Sequence, residues 1–263
     1  MSAPVRYWAR RDAMRSRPVI SVVVLQLVVA VVVLGGSALL GALLPGLPGY
    51  SLTGPSQSLV LVLVLAAGLV VFVAALRWWR LAGFTPVWQW RELRLYWLPV
   101  VLLAAPLVGG VRAPEHVAAV VVLVVAYLAT GVFEEGLWRG VMLGLLRPRG
   151  VWLAVVLSSV LFGLGHLTNA ALRGFSVLIL LQAFGAAVQG VGLAALRLRT
   201  GTIWPLIVIH ALHDISLQLG TLPIAAVEAP IDTVLCLYGI YLLRRSKLPP
   251  PMVDAEAAGQ RGR

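Results

Sequence analysis

The stretch Val125-Ala-Tyr-Leu-Ala-Thr-Gly-Val-Phe-Glu134-Glu135-Gly-Leu-Trp-Arg139-Gly-Val-Met-Leu143 decides the reading of this chain. Its flanks are apolar enough to cross a bilayer, yet two adjacent carboxylates sit inside it. Only ten acidic residues occur in 263. A carboxylate at bilayer depth costs roughly 2.5–3.5 kcal/mol on insertion scales, so such residues mark functional sites. The surrounding sequence must therefore be tested first for a membrane architecture and then for partners of this pair.

Composition supports the membrane. Hydrophobic residues make up 60% of the chain and charged ones 12%, about half the ~25% charged fraction of soluble domains. Apolar runs of spanning length, about 20 residues, recur throughout. They predict an all-α polytopic membrane protein with about eight transmembrane helices, at 18–44, 57–76, 96–111, 117–146, 151–168, 174–196, 202–220 and 222–243. Basic residues alternate by side. Arg6, Arg10, Arg11, Arg15 and Arg17 precede the first run; Arg77, Arg80, Arg91 and Arg94 follow the second; Arg147 and Arg149 follow the fourth; Arg197 and Arg199 follow the sixth. Arg244, Arg245, Lys247, Arg261 and Arg263 follow the last, whereas the opposite loops carry only Arg112 and Arg173. The positive-inside rule then predicts cytoplasmic N- and C-termini. The net charge of +11 is accounted for as topology, and nucleic acid is excluded as a partner.

The first apolar run exceeds a signal-peptide core of about 7–15 residues, which predicts an uncleaved span. Trp78 to Trp97, rich in Trp and Arg, predicts an amphipathic helix at the cytoplasmic interface. The tail from Pro249 has too few apolar residues to pack and is expected to be disordered. Gly131, Gly136, Gly140, Gly185 and Gly190 suit close helix packing. Cys236 is the single cysteine, so no intramolecular disulfide forms. No internal repeat is evident, which disfavours an inverted-repeat transporter.

Few ionisable residues remain at membrane depth: Glu134, Glu135, Arg139, His166, His210, His213 and Asp214. Glu135 and Arg139 are i,i+4 neighbours and can neutralise one another. Glu134 points about 100° away, with no basic partner on its own helix, and is free to act toward another helix. Arg147-Pro-Arg-Gly150 forms a tight turn, and Glu134 and His166 lie equally far from Gly150, 16 residues on either side. In an antiparallel hairpin both stand roughly 24 Å from the turn, at matching depth and able to face each other. Asp214 shares a helix face with His210. A glutamate and histidines from three helices suit hydrolysis, the glutamate taking a proton from water while imidazoles hold the water, polarise the carbonyl or bind a metal. A buried polar network that locks helices together, and a proton or cation pathway, are the readings that compete on the same residues. Other intramembrane proteolytic signatures are missing: there is no His-Glu-x-x-His, no Gly-x-Ser-x-Gly and no Gly-x-Gly-Asp.

At these residues the chain resembles the CPBP family, the CAAX-protease and bacteriocin-processing intramembrane proteases also called Abi. Glu134-Glu135-Gly-Leu-Trp-Arg139 resembles the family's Glu-Glu-x-x-x-Arg, Phe162-Gly-Leu-Gly-His166 its Phe-x-x-x-His, and His210-Ala-Leu-His213-Asp214 its His-x-x-x-Asn/Asp. The preceding Arg-Thr-Gly-Thr-Ile-Trp-Pro is also typical. The three motifs stand in order over roughly residues 116–220.

The resemblance implies an intramembrane endopeptidase with catalytic residues Glu134, Glu135, Arg139, His166, His210 and Asp214. By position Glu134 would activate water, His166 would assist, and His210 and Asp214 would stabilise the oxyanion or complete a metal site. Zinc, on His166 and His210, is thereby left open as a cofactor. Asp214 departs from the commoner Asn, and an ionised Asp cannot donate to an oxyanion. His213 matches no motif position and reads as a helix-interface histidine. The organisation expected is a basic segment, three spans and an interfacial helix in 1–115, the catalytic core in 116–220, and the last span with its tail in 221–263. The partners expected are a peptide or membrane-protein substrate and the lipid bilayer; near absence of Lys beside abundant Arg points to a bacterial cytoplasmic membrane. A catalytically silent scaffold or immunity protein, and a proton-coupled transporter, are the alternatives.

Overall fold

The computed structural model describes residues 11–43, 55–87 and 90–245. The helices are α1 (Pro18–Leu43), α2 (Pro55–Ala75), α3 (Trp79–Ala82), α4 (Trp97–Leu102), α5 (Val117–Glu134), α6 (Leu143–Leu146), α7 (Val151–His166), α8 (Thr168–Arg173), α9 (Val177–Thr200), α10 (Trp204–Leu219) and α11 (Ile224–Arg245). A π-helical segment, Glu135–Met142, joins α5 to α6, and single antiparallel pairing of Val111 with Gly220 is the only strand-like contact among the described residues. Arg6, Arg10, Trp88, Gln89, Lys247, Arg261, Arg263 and the tail from Pro249 lie outside the described residues.

Among the described residues, five helices are long and apolar enough to cross a membrane: Pro18–Leu43, Val117–Arg149, Val151–Leu172, Val177–Thr200 and Ile224–Arg245, with Leu59–Ala75 a shorter apolar helix. By helix composition this is a multi-pass membrane protein. Its outer surface agrees, since Leu27, Val31 and Val177 are among many apolar side chains left exposed on the helices, as a lipid-facing surface requires.

Two sequence expectations fail, each for a local reason. The run at 96–111 is not one helix: α4 ends at Leu102, and Ala105–Leu107 is a 3-10 turn. Pro106 has no N–H to give and its ring would strike the carbonyl four residues back, at Leu102, where α4 stops. Gly110, at φ 121°, then turns the chain in a region closed to other residues. The interfacial helix expected over Trp78–Trp97 is also broken. Gly83 caps α3 in the left-handed conformation, φ 80°, and Trp90–Tyr96 is a 3-10 helix. Its tryptophans part company, Trp78 being fully buried and Trp90 71% exposed.

The central packing is α9 against α7 and α11, with α5 against α2 and α10. Small residues set these distances. A Cβ on Gly131 would come within 2.8 Å of the Ile207 carbonyl oxygen, joining α5 to α10; on Gly140, within 2.8 Å of the Ala82 carbonyl oxygen; on Gly144, within 2.7 Å of that of Leu81. Gly136, Gly140 and Gly144 therefore form a stripe, with Leu69, Phe84, Ala82 and Leu81 filling the space where side chains would stand. Because the obstacle at Gly140 is backbone, Gly140→Ala is expected to lower stability by about 1–3 kcal/mol, read as a lower melting temperature of the detergent-purified protein. A melting curve that superimposes on wild type would show that α3 yields freely.

One loop contact positions the site. The Ile203 N–H donates to the Gly83 carbonyl at 2.9 Å, Thr202 Oγ1 to the Thr85 carbonyl at 2.9 Å and Thr85 Oγ1 to the Gly201 carbonyl at 3.3 Å. Pro205 lies in the first turn of α10, where its missing N–H costs nothing. Arg197, expected as a surface topology charge, is instead only 7% exposed, and its guanidinium reaches the Leu81 carbonyl. Arg199 pairs with Glu92. These ties fix where α10 starts, and so the depth at which His210 enters the bundle.

Candidate active site

Helices α1, α2, α4, α5 and α7 to α11 line a partly open cavity of 1660 Å³, with Glu134, His166, His210, His213 and Asp214 among many apolar side chains on its walls. Glu134 is the last residue of α5, at the point where the helix widens to the π form. Such widened turns recur at functional sites because one extra residue per turn re-aims the side chains. Glu135 and Arg139 lie behind the cavity wall, 0% and 1% exposed.

Arg139 Nη1 donates to Glu135 Oε1 at 3.0 Å, the i,i+4 pairing expected from sequence. The same oxygen accepts a second hydrogen bond, from His210 Nδ1 at 2.8 Å. Glu135 thus holds the imidazole as well as the guanidinium, a contact between helices that helical spacing could not reveal. With Nδ1–H committed to Glu135, His210 presents Nε2 to the cavity, 3.4 Å from Glu134 Oε2 and 3.5 Å from Asp214 Oδ2. The spacing that put Asp214 on the face of His210 is seen in this last contact.

His166 lines the same cavity as Glu134, but no ion pair joins them among the described residues; the imidazole nearest Glu134 is that of His210. His166 Nδ1–H donates to the Phe162 carbonyl at 3.1 Å, so in the neutral ring Nε2 is the unprotonated nitrogen. Phe162 links the layers. Its ring carries the Arg139 guanidinium at 3.8 Å and meets the rings of Trp138 and His166 edge-on, at centroid distances of 5.3 and 4.7 Å. Trp138 Nε1–H donates in turn to Gln26 Oε1 of α1 at 3.0 Å. Gln26 was missed from sequence, though a lone glutamine in an otherwise apolar span was a signal for it. His213 makes the helix-interface contact expected of it: its Nε2 lies 2.9 Å from Glu228 Oε1 on α11.

Whether zinc fits depends on the donor set. His210 has its Nδ1 on Glu135 and Nε2 beside two carboxylates, while His166 has its Nδ1 on a carbonyl. Zinc needs three or four ligands at about 2.0–2.2 Å, and among the described residues no three His, Cys, Asp or Glu side chains converge in that way. The residues present do not fit the ion.

Fold and site together define a class: a helical membrane protein whose carboxylates and imidazoles converge on a cavity between its helices. Residues 116–216 match the family described as Rce1-like, type II CAAX prenyl endopeptidase, so this stretch of the chain is a domain of that CPBP family. No curated protein and no solved structure gave a match to the chain. Membership implies a protease and hence a peptide substrate.

Proposed function

We propose that this protein is an intramembrane endopeptidase that hydrolyses a peptide bond of a membrane-associated protein or peptide. The observation that carries the reading is Glu134, a carboxylate that opens into a cavity beside His210 Nε2, while the adjacent Glu135 is buried and holds that imidazole and the Arg139 guanidinium through its Oε1.

In this scheme Glu134 takes a proton from a water molecule, whose oxygen bonds to the scissile carbonyl carbon. The carbonyl oxygen becomes an oxyanion, stabilised by a proton on His210 Nε2, and a donor fixed in advance is effective there because it need not reorient as charge develops. Glu134 then passes its proton to the departing amide nitrogen as the C–N bond breaks. His166 Nε2 serves as an acceptor that helps hold the water. Glu135 and Arg139 are positioning residues. Asp214 flanks His210 and in its ionised form orients that ring rather than donating to the oxyanion.

We further assign residues 116–220 as the catalytic core of a multi-pass protein with cytoplasmic termini, in a bacterial cytoplasmic membrane. Charge alternation supports the orientation, and reporter fusions within 112–116 and 147–149 should give opposite sidedness; the same sidedness at both would refute it. Comparative proteomics of membranes from null, wild-type and Glu134→Gln strains tests the function. New peptide ends are expected only in wild type. If none depends on Glu134, the protease reading fails.

A further inference from the structure

The cavity has a second polar wall that the hydrolytic scheme leaves unused. Glu228 and Asp232 stand one turn apart on α11, and both line the cavity. Glu228 is matched by His213 at 2.9 Å. Asp232 is only 5% exposed and, among the described residues, has neither a hydrogen bond nor an ion pair. It is held against the backbone of α9 at Gly185, where any Cβ would collide with Asp232 Oδ2. A carboxylate so placed is aimed into the cavity with no counter-charge of its own.

The electrostatics of the whole cavity point the same way. Glu134, Asp214, Glu228 and Asp232 line it, and among the described residues neither Lys nor Arg does. Two acids at i,i+4 on one apolar helix repel each other, and each is costly at bilayer depth unless a cation joins them. Helix packing alone is better served by an uncharged side chain at Asp232. The wall adjoins the site of chemistry, since His210 contacts Asp214 at 3.5 Å and His213, next in sequence to Asp214, contacts Glu228.

We propose that Asp232, assisted by Glu228, forms a subsite for a cationic group of the substrate peptide, a lysine or arginine side chain or a free α-amine. The proposal rests on the peptidase reading for its ligand being a peptide. A cation entering from water gives up hydration, which a charge-assisted hydrogen bond to an unpaired carboxylate offsets. The apolar wall contributed by Val33, Leu61 and Val62 would take the uncharged part of the same ligand.

The test uses the full chain in lipid nanodiscs and one short apolar peptide in three forms. The first carries a free lysine and an acetylated N-terminus, the second an acetylated lysine and a free N-terminus, and the third is acetylated at both. Binding and cleavage are measured separately. At least one charged form should bind about ten-fold more tightly than the doubly acetylated form, a difference of ~1.4 kcal/mol. Which one it is separates a side-chain cation from a terminal amine. Asp232→Asn should bring the ratio close to one, and Glu228→Gln should lower it part of the way. Equal affinity of wild type for all three forms overturns the subsite, as does a folded Asp232→Asn variant that keeps the full ratio. Should Asp232→Asn fail to fold, an unchanged ratio in Glu228→Gln overturns it instead. Charge discrimination without any cleavage upholds the subsite and counts against the peptidase reading.

Discussion

Replacing Glu134 by Gln is expected to lower kcat on a cleaved peptide by about 10³-fold, within the 10²–10⁴-fold range of general acid–base contributions, with KM changed by no more than a few fold. The amide keeps the size and one hydrogen-bonding oxygen of the carboxylate but cannot accept the proton of the attacking water or return one to the leaving nitrogen. Stability should be spared. Glu134 is 21% exposed at the cavity wall, and its ion-pair contact is a 3.4 Å approach to His210, so the change strands no buried charge. A variant that melts with wild type yet turns over a thousandth as fast is the signature of a residue acting on the reacting atoms. Glu134→Asp, which withdraws the carboxylate by one methylene, should retain a measurable part of the rate. Retention of wild-type turnover within ten-fold by Glu134→Gln would remove Glu134 from the chemistry and leave the buried network or an ion pathway as the better account of the cavity.

The lone polar residues in apolar runs were legible in the sequence because a bilayer makes each of them expensive. The Glu135–Arg139 contact was legible for another reason: i,i+4 geometry is set by the helix itself. Contacts between helices were not. Equal distance from Gly150 gave Glu134 and His166 a common depth, and both do line one cavity, yet depth leaves rotation about each helix axis free. The π-helical segment beginning at Glu135 alters that rotation just where the acids sit, and no residue in it announces i→i+5 bonding. The imidazole of α10 therefore meets both glutamates, where spacing had favoured that of α7. Pro106 and Gly83, in contrast, were visible breakers whose effects the apolar run at 96–111 and the Trp–Arg pattern around Gly83 outweighed in the reading.

Arg139→Met should be the most destabilising single change in the site, at about 3–5 kcal/mol, the usual cost of removing one partner of a buried ion pair. Arg139 is 1% exposed, and Glu135, its partner, is fully buried. Without the guanidinium the carboxylate keeps His210 Nδ1 as its hydrogen-bond partner and loses its permanent counter-charge. The stack on Phe162 at 3.8 Å is lost too, in part replaced by thioether–aromatic contact. Activity should fall with stability, since the Glu135 that holds His210 would shift. The double variant Glu135→Leu/Arg139→Met separates the two effects. Removing both charges together avoids the stranded carboxylate, and well-packed apolar replacements of buried pairs are often neutral or stabilising. Its melting temperature should return close to that of wild type while activity stays lost, because His210 Nδ1 has no carboxylate to fix its orientation. Recovery of turnover in the folded double variant would mean that Glu135 and Arg139 serve only the architecture. Continued loss in a protein that melts normally would assign the pair its second role, aiming His210 Nε2 at the carboxylate that handles the water.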